Sequence, residues 1–240
     1  MLKVMMNLTI IGSAIAVVCV LGAGQAVAGG PFLDDFEAGT FDPRYSFDDP
    51  SRVTLSTLEN NTPSGNQSVR ILDDTNAAQP ALRYDAGSEL INRLDFALLV
   101  RPGFDPNTHS DLFRVFDLAG VGELMRFRAE DEGATYRINA FSSPGFSDQL
   151  FAAGSGLPYN EWADWTLDFS NVANFEIGVT INGASDTLFI EKTTPLPDVF
   201  KTMSASGATA EFFIDDFGVN IPEPASLMLL AVGTLLLRRR

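Results

Sequence analysis

Two adjacent carboxylates, Asp215 and Asp216, sit inside the apolar run FFIDDFGV near the end of the chain. Side chains on a strand alternate between faces, so Asp215 is expected beside Phe213, Phe217 and Val219, and Asp216 beside Phe212 and Ile214. An unpaired charge among such neighbours is costly. The pattern therefore calls for a partner: a metal ion, backbone amides, an arginine such as Arg70 or Arg83, solvent at the strand end, or a bulge that turns a carboxylate outward. A second set is aromatic. Trp162 and Trp165 lie three residues apart and on one strand would face opposite ways. Trp165 aligns with Leu167 and Phe169 and reads as core. Trp162, with Tyr159 just before it, is a candidate platform for stacking on a sugar ring; capping the edge of the fold is its competing use. A third set, Arg126, Arg128 and Arg137, is mixed with Glu130, Asp131 and Glu132, a pattern that favours ion pairs on an outer face over a binding cleft.

Catalytic combinations are weak, and no catalytic residue is assigned. The only histidine, His109, lies in the turn-like FDPNTHSD, so a Ser-His-Asp triad would rest on a loop residue. No His-x-x-x-His pair or Cys/His cluster suggests zinc. Neither a Gly-x-Ser-x-Gly elbow nor a phosphate loop occurs. Glycosidases need two carboxylates flanking a bond, and 30 acidic residues in the body make some such pair inevitable by chance. No glutamate is followed by aspartate two positions later, which removes the E-x-D-x-x-E string typical of one large jelly-roll glucanase family.

The elements that must position these groups read as strands. RLDFALLV (93–100) puts Leu94, Phe96, Leu98 and Val100 on one face and stops at the turn-rich RPGFDPN. LFRVFDL, ELMRFRAE, TYRINAF, WTLDF, FEIGVTI and FFIDDFGV continue the pattern. Short runs rich in Phe, Val, Ile and Thr, punctuated by Gly, Pro, Asn and Asp, are strand signals. No body segment shows a capped helical period. Many short strands without helices predict an all-β antiparallel sandwich or barrel.

DDFEAG near the start, PSGNQSVRI, LPYNEWADWTLDF and the closing FFIDDFGV resemble jelly-roll modules of the carbohydrate-binding and concanavalin A-like or laminin G-like kind, over Phe32–Val219. The resemblance implies a jelly-roll β-sandwich whose first and last strands lie side by side, bringing Asp34, Asp35 or Glu37 near Asp215 and Asp216. Oxygen ligands from several strands suit Ca²⁺, which takes 6–8 of them. A structural calcium joining both ends of the sandwich, held by Asp34, Asp35, Glu37, Asp215 and Asp216, is the cofactor expectation; arginine pairing or solvation of these acids is the alternative.

The two ends read as processing segments. Met1–Ala28 has Lys3, an apolar stretch and a small-residue AVA at Ala26–Ala28, the pattern of a secretory signal peptide cleaved after Ala28. Cys19, the only cysteine, leaves with it, so the exported body (29–219) has no disulfide and no thiol chemistry. That body keeps 12 basic and 30 acidic residues, a formal charge of −18, which argues against nucleic-acid binding. The last residues, 220–240, are Pro222-Glu223-Pro224, the apolar run Ala225–Leu237, then Arg238, Arg239 and Arg240. The 13-residue run spans about 20 Å as a helix, short of the roughly 30 Å hydrocarbon core of a bilayer. Motif, apolar run and basic stop, in that order, resemble the PEP-CTERM sorting signal. The resemblance implies export by the secretory machinery and processing by an exosortase. It also implies transient or permanent inner-membrane insertion of a short C-terminal helix, and a final place at the surface or in the exopolysaccharide matrix of a Gram-negative bacterium. A non-catalytic, glycan-binding sandwich is the reading; a jelly-roll glycoside hydrolase or lyase and a purely structural matrix protein are its rivals.

Overall fold

The computed structural model describes residues 32–74, 80–87, 91–103, 110–117, 122–142, 147–191, 197, 199–203 and 209–220. The expected signal peptide with Cys19, the tail from Pro222 to Arg240 and His109 lie outside the described residues. Among those residues, no helix is long and apolar enough to cross a membrane.

Among the described residues, sixteen strands build two antiparallel sheets, in chain order β1 (Phe32–Asp34), β2 (Tyr45–Asp48), β3 (Val53–Ser56), β4 (Ser68–Asp73), β5 (Ala81–Asp85), β6 (Arg93–Val100), β7 (Ser110–Asp117) and β8 (Gly122–Asp131). They continue as β9 (Thr135–Ser142), β10 (Ser147–Leu150), β11 (Leu157–Pro158), β12 (Trp162–Asp168), β13 (Glu176–Ile181), β14 (Ala184–Phe189), β15 (Val199–Met203) and β16 (Ala210–Asn220). Two short 3₁₀ turns, Ala152–Gly154 and Val172–Asn174, are the helical pieces described. Sheet I runs β14-β13-β12-β6-β16-β4-β3, with β1 also on β16. Sheet II runs β10-β9-β8-β7-β15-β5-β2, with β11 on β9. The β-sandwich expected from the strand pattern is the architecture found.

Alternation decides which residues meet between the sheets. Leu94, Phe96, Leu98 and Val100 of β6 all point into the core, as do Ala163, Trp165 and Leu167 of β12. Across from them stand Phe113, Met125, Phe127 and Phe200 of sheet II. Trp165 stacks on Phe96 with ring centres 5.8 Å apart and meets Phe113 edge-on at 5.1 Å. Each such pair adds about 0.5–1.5 kcal/mol beyond the area it buries. With no cysteine in the body, these core contacts join the two sheets without a disulfide.

Candidate functional site

Sheet I solves the problem of Asp215 with a change of neighbour. Residues Ala210–Ile214 of β16 pair with β4, whereas Phe217–Val219 pair with β1. Asp215 and Asp216 fall in the gap, where the register against β6 also shifts. Asp216 adopts φ +50° there, a left-handed conformation that Asp tolerates better than most residues. The extra residue reverses the alternation beyond it. Phe212 and Ile214 face the core, and so do Phe217 and Val219. The strict alternation expected from sequence is therefore corrected: Asp215 shares its outer face with Phe213 but not with Phe217 or Val219.

On that outer face the segment Glu59–Gln67 lies against the carboxylates. Asp215 is fully buried, and its Oδ2 accepts the amides of Asn61 (2.7 Å) and Thr62 (3.1 Å) while Oδ1 accepts the amide of Asp216 (2.9 Å). Asp216 takes Asn61 Nδ2 and the Thr62 hydroxyl, both at 2.8 Å. From the other end of the chain, Glu37 Oε1 accepts Asn66 N, Gln67 N and Asn60 Nδ2 at 2.8–2.9 Å. Gly65 is fixed by this packing, because a Cβ there would stand 2.1 Å from Glu37 Oε1. Asp34 and Asp35 cap their own turn, accepting the amides of Phe36 and Glu37. Burial pushes the Asp215 and Asp34 carboxyls above the usual carboxylate range, and the amide donors pull part of that shift back. The arginines considered as partners lie elsewhere: Arg70 pairs with Glu211, and Arg83 with Asp85.

The fold thus brings Glu37 from one end of the body, and Asp215 and Asp216 from the other, to one segment. Among the described residues, no three acidic, histidine or cysteine side chains form a group able to hold a metal ion. One buried oxygen beside the cluster, Gln67 Oε1, has no hydrogen-bond partner. Calcium accepts amide and carbonyl oxygens as well as carboxylates.

The two candidate stacking residues have different surroundings. Tyr159 packs its ring 5.2 Å from Tyr136 of sheet II and donates its hydroxyl to Asp131 at 2.8 Å. Trp162 is half-buried and alternates with core-facing Ala163, on the outer side of sheet I.

Sheet II carries a different polar face. Four cations stand in register on four neighbouring strands: Arg83 of β5, Lys201 of β15, Arg114 of β7 and Arg126 of β8. Like charges directly opposite one another destabilise a sheet, so carboxylates must interleave. Asp111, fully buried, accepts Arg128 Nε at 2.7 Å and the Arg114 guanidinium, with Arg126 Nε at 3.7 Å. Glu123 takes Arg126 at 3.0 and 3.1 Å and Arg114 at 3.2 Å. Arg137 pairs with Glu130, Lys201 with Asp48. Arg128 also lies over the Phe141 ring, 4.5 Å from its centre. Its register partner Asn139 is buried and donates Nδ2 to Glu130 Oε1 at 2.7 Å, while its Oδ1 has no partner.

The ion pairing expected for Arg126, Arg128 and Arg137 is what the structure shows. Asp111, Arg114, Glu123, Asn139 and Lys201 complete the face and were not singled out from sequence. Alternation within LFRVFDL and TYRINAF does put Arg114 and Asn139 on polar faces, but only the register reveals that the basic residues of separate strands form one row.

The tail decides the sorting route. The family pattern described as the PEP-CTERM protein-sorting motif matches residues 220–240. The chain ends in a PEP-CTERM signal. It marks an exported surface protein processed by an exosortase. Among the solved structures similar to the chain, three illustrate the likeness. The cellulose-induced protein Cip1 is 14% identical, with 78% of this chain and 95% of that one covered at a TM-score of 0.61. A carbohydrate esterase from the Shiga toxin-encoding bacteriophage phi24B is also 14% identical, with 82% and 99% covered at 0.57. The apo Crh5 transglycosylase is 12% identical, with 82% and 87% covered at 0.55. At such identities the likeness is one of fold: a β-sandwich of the jelly-roll kind. No curated protein matches the sequence.

Proposed function

We propose that this exported, exosortase-sorted protein binds glycan without cleaving it, on the outer face of sheet II, at the cell surface or in the exopolysaccharide matrix. The observation that carries the reading is the partly exposed lattice of arginines and carboxylates across β5, β15, β7, β8 and β9, which offers charged donors and acceptors to hydroxyl groups. On sheet I, by contrast, the Asp215 and Glu37 carboxylates are taken up by the chain's own Glu59–Gln67 segment. The glycan-related neighbours in fold are consistent with this reading but assign no role. Binding is favoured over hydrolysis or elimination because the carboxyls raised by burial, Asp34 and Asp215, are committed to backbone amides on the other sheet. Insertion of Ala225–Leu237 into the inner membrane of a Gram-negative host during sorting belongs to the same proposal.

The test is a glycan array probed with the purified full-length protein, followed by chromatography of each bound glycan after incubation. Retention of some glycans, recovered intact, is the expected result; shortened products would convert the protein into an enzyme, and an empty array would leave a structural matrix role.

A structural calcium at the Glu37, Asp215 and Asp216 cluster is a second proposal, supported by the orphan Gln67 Oε1. Glu37 and Gln67 would hold the ion, and its charge would offset the carboxylates gathered there. The melting temperature then rises from EDTA to millimolar Ca²⁺ and does so less in Glu37→Gln; identical melts would remove the ion.

A further inference from the structure

Within the charged face of sheet II, Arg128 differs from its neighbours. Arg114 and Arg126 each pair with two carboxylates, Asp111 and Glu123. Arg128 gives only its Nε to Asp111, and its terminal nitrogens have no acceptor among the described residues. It is nonetheless held in place: the buried Asp111 anchors one edge, and Phe141 supports the flat of the guanidinium. An arginine fixed in this way presents a preformed two-pronged donor, the shape that a carboxylate accepts in bidentate fashion. Around Asp111 three guanidiniums face two carboxylates, a local excess of one positive charge on a body that carries −18.

The second observation is independent of charge. Asn139, directly across from Arg128 on β9, is 1% exposed with Nδ2 committed to Glu130 and Oδ1 unpartnered. A buried acceptor left unmade costs about 1–3 kcal/mol, a cost that a hydroxyl reaching Oδ1 would relieve. A carboxylate and a hydroxyl presented side by side are the signature of a sugar acid.

We propose that Arg128 and Asn139 recognise a uronate unit of an acidic polysaccharide laid across sheet II, Arg128 taking the carboxylate and Asn139 Oδ1 a ring hydroxyl. The in-register row Arg83, Lys201, Arg114 and Arg126 extends the favourable surface across the strands at their spacing of about 4.8 Å. A row of this length suits a polymer, which can lie across several strands, better than a single organic acid. The proposal rests on the glycan-binding reading and narrows it to acidic glycans.

Isothermal titration of the purified full-length protein tests it, using hexamers of mannuronate, galacturonate and glucuronate, each beside its methyl ester, with monomeric glucuronate and cellohexaose as controls. At least one acidic hexamer is expected to bind about tenfold or more tightly than its own ester, with affinity falling as salt is raised. Arg128→Ala should weaken it about 10- to 100-fold, and Arg128→Lys should restore only part, since an ammonium supplies charge without the fork. Asn139→Leu should weaken it by a smaller factor with the melting temperature kept. Ester and acid binding alike, cellohexaose binding alone, or full affinity in Arg128→Lys would overturn the uronate site while leaving a glycan-binding protein. Silence with every glycan would overturn both readings.

Discussion

On sheet I the buried carboxylate of Asp215 is met by three peptide N–H groups; on sheet II the equally buried carboxylate of Asp111 is met by three guanidiniums. The first arrangement is closed, because its donors belong to backbone and have nothing further to offer. The second is open, because each guanidinium brings more N–H groups than one carboxylate can accept, and Arg128 keeps a surplus. Near-complete satisfaction at Asp215 therefore marks a device for tying the two chain ends to one loop. Incomplete satisfaction at Arg128 and Asn139 marks a surface prepared for something that is not part of the chain.

This contrast makes graded predictions. The largest effect belongs to Asp215→Ala, which leaves three buried amides without an acceptor; urea unfolding should show a loss of about 3 kcal/mol. A value below about 1 kcal/mol would mean that the Glu59–Gln67 segment is not held by this carboxylate. Asp111→Ala should cost less, about 1–3 kcal/mol. Removing one member of a buried ion pair normally costs more, but Arg114, Arg126 and Arg128 are 15–21% exposed and can turn to water or to Glu123. If Asp111→Ala proved the more damaging, the open and closed faces would have to be exchanged.

A smaller effect appears with pH. The Asp215 carboxyl is raised by burial, so as pH falls from neutrality toward the ordinary carboxylate range the folded chain takes up this proton before the unfolded chain does. This residue alone thus makes the fold more stable on mild acidification and less stable at neutral pH. Asp42, lowered by its hydrogen bonds with Arg44, acts in the opposite sense at more acid pH. Denaturant unfolding across this range should therefore show a less negative slope of stability against pH in Asp215→Asn than in the natural protein. An unchanged slope would place the titration elsewhere. The smallest change is predicted for Asn139→Leu: a stability within about 1 kcal/mol of the natural protein, because one satisfied and one orphan polar atom disappear together.

Much of the architecture was legible from local signals. The alternation in RLDFALLV and WTLDF gave the correct core faces for Phe96 and Trp165, because a strand buried on one side leaves a period of two. The anomaly at Asp215-Asp216 was also visible, but its solution was not. It depends on β4 ending and β1 beginning along the same edge of β16, a non-local event with no local signature. The sheet II face was hidden for a related reason. Arg83, Arg114, Arg126 and Lys201 lie up to 118 positions apart in sequence, and only pairing register makes them a row. Asn139 carried no signal, since an orphan atom is defined by what surrounds it.

The most direct test is a thermal melt of the full-length protein, Asp215→Ala and Arg128→Ala, each with and without a saturating acidic hexamer. Ligand at about 100 times its dissociation constant stabilises by about 2.7 kcal/mol, or roughly 5–10 °C for a domain of this size. The account predicts that Asp215→Ala melts low but keeps the full ligand shift, whereas Arg128→Ala melts near the natural protein and shows almost none. A full shift in Arg128→Ala, or loss of the shift in Asp215→Ala at temperatures where it remains folded, would contradict the division between a closed structural face and an open binding one.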